Sequence, residues 1–472
     1  MNNEVAAQQS TVGIKRCTSC GADVSQLKRW KDTEGRYYCD SCWTKKNNPP
    51  AMPMHVRLLN KVICPHCWHV FIPEEILWIA EHPDLIGDSI LGPEQNARFL
   101  PTRFTVQGKA IDSRNVVCHR MACPRCHLFI AREVIESPLL FVSMIGGPAS
   151  GKSNFLAAMT WQLRQLLPQK FFLQWSDVDA LTNRLVNSNE EQLFLTGDPD
   201  GLTYIAKTQE QGDIYDILNI GGQSTALTRP FLFAIKPTLS HPRAARSAEI
   251  SRLLCLYDNA GESYLPGADT PARPYTQHLG KAQLVLFLLD PTQDPRMRQR
   301  CQGISTDPQL TALGRIYRQE ILLQEAGMRI RRYSGLTPNA RYERPFIVAV
   351  SKSDIWGKLI DEDIQTDPYL PGKSDGRYVV DVARIERVSN KIRQMLMSVT
   401  PEIVASAESI STHVLFVPIS SLGRAPESHP ALPNVLAIRP RDITPHWVTV
   451  PILYSLVKWT TGLVAVATPQ RN

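Results

Sequence analysis

From residue 139 onward, short apolar runs alternate with longer amphipathic stretches. The runs Leu139–Ile145, Phe231–Ile235, Leu253–Tyr257, Leu284–Leu289, Phe346–Val350 and Val414–Val417 are continuous apolar blocks. Continuous blocks of this length, bounded by polar residues, are expected of strands buried on both faces. Lys152–Leu167, Pro308–Glu325 and Asp381–Met397 read as helices between them, and Phe171–Leu195 leaves room for an extra strand and helix. The alternation predicts an α/β domain over residues 137–472. Its sheet is expected to be mostly parallel, with helices on both faces. Trp447–Val466 is apolar but carries Pro451 and Lys458, which predicts a packed amphipathic helix rather than a membrane anchor. Before residue 137 the pattern changes to short segments punctuated by cysteine. A polar, Pro-rich linker at Lys45–Pro53 divides that part, so a module over 1–48 and a second over 54–136 are expected.

Composition narrows the class without identifying it. The chain has 472 residues, 43% hydrophobic and 21% charged, which excludes a wholly disordered chain, a collagen and a coiled-coil rod. The net charge of +7 on a chain of this length does not by itself indicate a nucleic-acid or membrane partner. Met1–Ser10 is polar and lacks the apolar core of a secretory signal, so a cytoplasmic protein is expected.

Eight of the 11 cysteines form four C-x-x-C pairs, all within the first 126 residues. Without an export signal, metal is a better reading than disulfides. A C-x-x-C turn places two thiolates on one edge of a zinc tetrahedron, and two such turns close a structural site. Cys17, Cys20, Cys39 and Cys42 have the spacing of such a site. Cys64, Cys67, Cys123 and Cys126 form a second, with both turns reading C-P-x-C, typical of zinc ribbons, and a long insertion between them. His66, His69, Cys118, His119 and His127 crowd the second set and are candidate substitute ligands.

The segment Gly146-Gly147-Pro148-Ala149-Ser150-Gly151-Lys152-Ser153 matches G-x-x-x-x-G-K-[ST], following an apolar strand and opening a helix. Glycines let backbone N–H groups turn inward around phosphates, and the helix presents its positive end to the same anions. Lys152 is expected to reach the β- and γ-phosphates, and the Ser153 hydroxyl to ligate Mg²⁺.

Three later segments bear on which nucleotide is bound. The strand into Asp258-Asn259-Ala260-Gly261-Glu262 resembles the D-x-x-G switch element of GTPases. Ser351-Lys352-Ser353-Asp354 looks like their [NT]-K-x-D guanine motif, with Ser where Asn or Thr is usual. Ser420-Ser421-Leu422 resembles their last base-contacting loop. A carboxylate at Asp354 suits guanine, which offers two donors there; adenine would leave it unpaired. The chain from about Leu139 to Val466 therefore resembles the P-loop GTPase superfamily. The zinc modules and the D-N-A-G-E form look like the bacterial double-GTPase proteins of conflict and defence systems.

The resemblance implies GTP and Mg²⁺ as ligands beside two structural zinc ions. Lys152, Asp258, Gly261 and Glu262 would carry catalysis, Asp258 also serving Mg²⁺. Residues Gly146 to Ser153, Lys352, Asp354, Ser420 and Ser421 would hold the nucleotide. Protein partners, such as another GTPase or an effector, are implied, and nucleic acid is not indicated. Glu262 stands where many small GTPases have a water-positioning Gln, which implies slow intrinsic turnover. The switch threonine is open among Thr225, Thr228 and Thr208, and Arg273 is a finger candidate by position only. A nucleotide-binding scaffold with little catalysis, a P-loop ATPase and a zinc-ribbon nucleic-acid binder remain as alternatives.

Overall fold

In the computed structural model, residues 14–25, 29–32, 34–47, 58–205, 215–220, 222–268, 270, 275–311, 318–373, 376–432 and 435–467 are described. Thr208, Arg273 and linker residues 48–57 lie outside them.

A seven-stranded sheet organises the larger part of the chain. Its strands are β1 (Leu139–Gly146), β2 (Leu173–Asp177), β3 (Phe231–Pro237), β4 (Arg252–Asp258), β5 (Leu284–Leu289), β6 (Phe346–Val350) and β7 (Val414–Pro418). Their spatial order is β2-β3-β4-β1-β5-β6-β7. The pairs β4–β1, β1–β5, β5–β6 and β6–β7 are parallel, while β3 runs antiparallel to both its neighbours. From β1 the chain fills one side of the sheet through β2, β3 and β4, then crosses to fill the other through β5, β6 and β7. The crevice at the carboxyl ends of the strands beside β1 is therefore a topological switch point, where such sheets bind ligands. The register aligns these ends: Met144 lies opposite Asp258, Gly146 opposite Leu288, and Val350 opposite Pro418.

The longer helices are α1 (Lys152–Phe171), α2 (Arg184–Phe194), α3 (Gln319–Ser334), α4 (Val382–Val399), α5 (Pro401–Ile410) and α6 (Val450–Trp459). The helix expected over Pro308–Glu325 begins later. Asp307 accepts from Gln309 N and caps a short 3₁₀ turn at Pro308–Leu310, and the regular helix starts at Gln319. The Trp447–Val466 stretch contains α6, which buries Val450 to Leu456 and keeps Lys458 in its last turn. Among the described residues no helix is long and apolar enough to cross a membrane.

Side-chain alternation gives the sheet two different coverings. Leu140, Val142, Leu254, Leu256, Phe231 and Phe233 pack with α1 residues Phe155, Leu156, Met159 and Leu163. The intervening residues Phe141, Leu232, Ala234, Leu253, Cys255 and Tyr257 pack instead with Val62, Cys64, Trp68, Phe71, Cys123 and Cys126. Helices on both faces are thus replaced, over β1, β3 and β4, by the segment bearing the second cysteine set. The reason is that this face offers apolar side chains and the short cysteine-bearing segment offers its own, so each removes the other from water at roughly 1.5–3 kcal/mol per large side chain.

Residues Met1–Val56 and Arg57–Asn472 form separate units, so the second cysteine set shares a unit with the sheet. The first unit is small. Strands Arg29–Lys31 and Tyr37–Cys39 pair antiparallel, a helix follows at Asp40–Asn47, and the core is little more than Cys17, Val24 and Tyr38. So small a core requires a staple.

Candidate functional site

Both cysteine sets converge as their spacing implies. The sulfurs of Cys17, Cys20, Cys39 and Cys42 lie within 4.8 Å of one another, as do those of Cys64, Cys67, Cys123 and Cys126. Recorded Sγ–Sγ separations are 3.8 Å for Cys20–Cys39 and 3.7 Å for Cys64–Cys126 and Cys67–Cys123. The edge of a ZnS₄ tetrahedron with bonds near 2.3 Å is about 3.8 Å, so both sets fit zinc. In the second set the His66 and Arg125 N–H groups point at Cys64 Sγ and Cys123 Sγ, 3.3 and 3.4 Å away, which favours thiolate. In the first, backbone N–H groups, foremost that of Cys39, draw the Cys17 thiol down to about 6. The neighbouring candidates turn elsewhere. His66 Nε2 meets Phe129 O, His127 Nδ1 meets Asp88, and the Cys118 thiol faces Asp112.

The loop from Gly146 to Ser153 joins β1 to α1. Ala149 and Gly151 take left-handed conformations (φ 57° and 88°), and the Ser150 hydroxyl donates to Gly147 O at 2.8 Å, which closes the turn. The loop then delivers the N-terminus of a 20-residue helix, α1, to the crevice. Lys152 folds back so that Nζ donates to Gly146 O at 2.9 Å and Gly147 O at 3.4 Å. Burial pushes the Lys152 ammonium below its ordinary value, while the Asp258 and Glu262 carboxylates pull it back up. Asp258 ends β4 beside this loop. Burial pushes its carboxyl up to about 6, against the pull of Lys152, and its Oδ1 is buried without a hydrogen-bond partner among the described residues. A carboxylate oxygen without a partner among the described residues, close enough to Lys152 to shift its titration, fits a hard cation such as Mg²⁺.

Gly261 opens a 3₁₀ turn against the loop. A Cβ there would lie 2.6 Å from Pro148 N and 2.8 Å from Gly147 C, so only hydrogen fits between the two segments. Half-buried Glu262 follows. A buried arginine on α3 holds this turn: Arg329 is 1% exposed and donates to Ser263 O at 2.5 Å and Leu265 O at 2.8 Å.

The carboxyl ends of β6 and β7 complete the crevice. Lys352 is left-handed (φ 55°), and its ammonium reaches Asp290 Oδ2 at 2.5 Å, Gln309 Oε1 at 2.7 Å and Thr292 Oγ1 at 3.2 Å. Asp354 Oδ1 accepts from Ser420 Oγ at 2.5 Å, and Ser420 Oγ accepts from Gly423 N at 2.9 Å. Ser351 is buried, with its hydroxyl unpartnered among the described residues. A cavity of about 170 Å³ is lined together by Ala149, Ser150, Gly151, Ser351, Lys352, Asp354, Ser420, Ser421 and Leu422. The loop after β1 and the two loops after β6 and β7, far apart in sequence, thus share one wall.

Some residues of this crevice carry no local sequence signal. Asp290 merely ends the apolar run Leu284–Leu289, yet it is 1% exposed and anchors Lys352. Thr203, Tyr204 and Ile205 line the cavity from the segment after α2, joined to the Leu436–Ile438 wall by a Thr203–Ile438 bridge. No sequence signal marked them. Of the threonine candidates, Thr228 is buried and donates to Tyr275 O at 2.8 Å, and Thr225 lies on the hairpin formed by Tyr215–Ile220 and Gln223–Thr228.

No protein-family model matches this chain, and no curated protein matches it significantly. Among solved structures it is similar to sup35 complexed with GDP, at 10% identity and TM-score 0.21, covering 60% of this chain and 38% of that one. It is also similar to the S. cerevisiae Ski7 GTPase-like domain. The form bound to GDP and inorganic phosphate gives 12% identity and TM-score 0.23, covering 61% and 44%; the form bound to GTP gives 13% and 0.26, covering 68% and 50%. The chain spans half or less of the length of each.

Proposed function

We propose that this chain binds a guanine nucleoside triphosphate with Mg²⁺ in the cavity beside β1 and hydrolyses it slowly, as a molecular switch. One observation carries the reading: the Gly146–Ser153 loop and the Ser351–Asp354 and Ser420–Leu422 loops line a single cavity. The left-handed turn at Ala149 and Gly151 and the α1 N-terminus suit a polyphosphate at one end. At the other, Asp354 has one oxygen bonded to Ser420. A carboxylate carries about four acceptor sites, so it retains capacity for the two donors of guanine. Lys352, held through its ammonium by Asp290, Thr292 and Gln309, offers its apolar stem to the base. Ser153 and Asp258 would hold Mg²⁺, whose chemistry is to offset phosphate charge. Lys152 would neutralise the phosphate oxygens, and the Gly261 N–H and Glu262 would face the transferred group and the attacking water. The two cysteine sets would be structural zinc sites. The separate unit around Cys17–Cys42 would recruit protein partners, a second GTPase or an effector, in bacterial signalling or defence.

A second reading is a nucleotide-dependent scaffold without turnover. It is favoured by Glu262, whose charge already acts on Lys152 and which cannot donate a hydrogen bond as an amide would. Phosphate release from GTP with Mg²⁺ separates the two. Turnover that disappears in Lys152→Ala supports the switch; tight binding without turnover supports the scaffold; neither binding nor turnover overturns both.

A further inference from the structure

The residue before Asp258 faces away from the nucleotide cavity, into the cysteine-bearing layer. The Tyr257 hydroxyl donates to Pro65 O at 2.5 Å and accepts from Trp68 Nε1 at 3.0 Å. Both partners belong to the Cys64–Cys67 turn. Pro65 lies inside it, and Trp68 follows it in a left-handed conformation (φ 56°), its N–H on Cys64 O at 3.1 Å. The Tyr257 ring is fully buried and stacks on His278, with centroids 4.6 Å apart and planes 10° apart. His278 bonds Ser143 Oγ through Nδ1 at 2.7 Å, and its Nε2 accepts from Asn259 Nδ2 at 3.0 Å. Asn259 directly follows Asp258. The two residues flanking Asp258 are therefore joined through His278 and braced on the metal turn.

We infer that Tyr257 is a positioning residue that ties the second cysteine site to Asp258, so that zinc at Cys64, Cys67, Cys123 and Cys126 and Mg²⁺-nucleotide at the Gly146–Ser153 loop bind cooperatively. The inference rests on the nucleotide reading of the cavity. A C-x-x-C turn holds its shape through its metal, and apo sites of this kind lose structure. Both partners of the Tyr257 hydroxyl come from that turn, so metal loss leaves a fully buried phenol unpaired, a state folded chains relax to avoid. Relaxation at Tyr257 moves its neighbour Asp258, which the nucleotide-bound cation requires in place. Each ligand then favours the same arrangement of one braced strand end, and the linkage is reciprocal.

The test uses the full chain carrying Cys17→Ser and Cys20→Ser, which confines tight zinc binding to the second site. Zinc affinity is measured by competition with a chromogenic chelator, with and without GDP and Mg²⁺, and nucleotide binding is followed in parallel by calorimetry. The expected result is zinc affinity at least about 5-fold tighter with nucleotide. Nucleotide should bind weaker by the same factor after zinc extraction. Tyr257→Phe keeps the ring and removes the hydroxyl; it should bind both ligands and reduce the linkage to within about 2-fold. Trp68→Phe, which removes the other hydrogen bond, is the second variant should Tyr257→Phe fail to fold. Nucleotide binding with unchanged zinc affinity overturns the linkage while leaving the nucleotide reading intact. Full linkage retained in both variants overturns the role of Tyr257. No nucleotide binding by calorimetry overturns the nucleotide reading and the linkage with it.

Discussion

Replacing Gly261 by alanine adds one methyl group between two backbones that already touch. The new Cβ would sit 2.6 Å from Pro148 N, whereas ordinary contact begins near 3.4 Å. The turn or the Gly146–Ser153 loop must therefore yield by about 0.8 Å, and both opposing atoms are backbone. The Gly261 backbone is not left-handed, so conformational strain does not contribute. Overpacking of this kind costs about 1–3 kcal/mol. If the loop moves, that energy appears as lost nucleotide affinity, a factor of about 5–150. If it is absorbed by the fold, a unit of roughly 400 residues loses only about 1–4 °C in Tm. We expect the first outcome, because the next loop residues, Ala149 to Gly151, line the cavity while β1 before the loop is buried. Calorimetric titration with GTP and Mg²⁺, beside a thermal scan, separates the two. Gly197→Ala is the control: Gly197 is exposed, with no described residue within 4 Å of its Cβ position, and should behave as wild type. Gly261→Ala with unchanged affinity and turnover would refute the contact as a determinant of the site.

Three further outcomes follow from the same geometry. Arg329→Met removes the guanidinium that holds Ser263 O and Leu265 O, and should lower GTP turnover about 10-fold or more while GDP affinity changes little; equal losses in both would mean a general packing defect. Cys64→Ser should cost the larger unit its zinc and much of its thermal stability, whereas Cys17→Ser should leave nucleotide binding intact, since its site belongs to the separate Met1–Val56 unit; metal content and melting curves check both. Burial holds the His278 imidazole neutral, with its pKa lowered to about 3, so below the ordinary 6.5 the unfolded chain takes up a proton that the folded one refuses. Stability should therefore fall as pH drops from 6.5 towards 3, by about 1.4 kcal/mol per unit from this residue, and His278→Asn should flatten that slope in denaturant titrations.

Six of the seven strands were legible as apolar runs, whereas edge strand β2, with Gln174 exposed, was expected only as room for an extra strand. Each of the six apolar runs from Leu139–Ile145 to Val414–Val417 lies within a strand of the sheet. The Gly146–Ser153 motif and both cysteine sets were legible because such motifs have fixed spacing over a few residues. What escaped was long-range. Nothing local in Tyr257 or Trp68 announces that they meet across 189 positions, or that the second cysteine site would cover the sheet in place of a helix. Asp290 and Arg329 looked like ordinary polar residues; their roles appear only when three loops and a helix are brought to one end of the sheet. Of the helix expected over Pro308–Glu325, Pro308–Leu310 is a 3₁₀ turn and the regular helix runs over Gln319–Ser334.

The most direct test of the central claim is calorimetric titration of zinc-replete protein with GTP and with ATP, each with Mg²⁺, on wild type and Asp354→Asn. The account predicts a clear preference for GTP that Asp354→Asn abolishes, because the carboxylate that accepts the guanine donors is gone. Equal binding of the two nucleotides, a preference for ATP, or a preference for GTP that survives Asp354→Asn would contradict it.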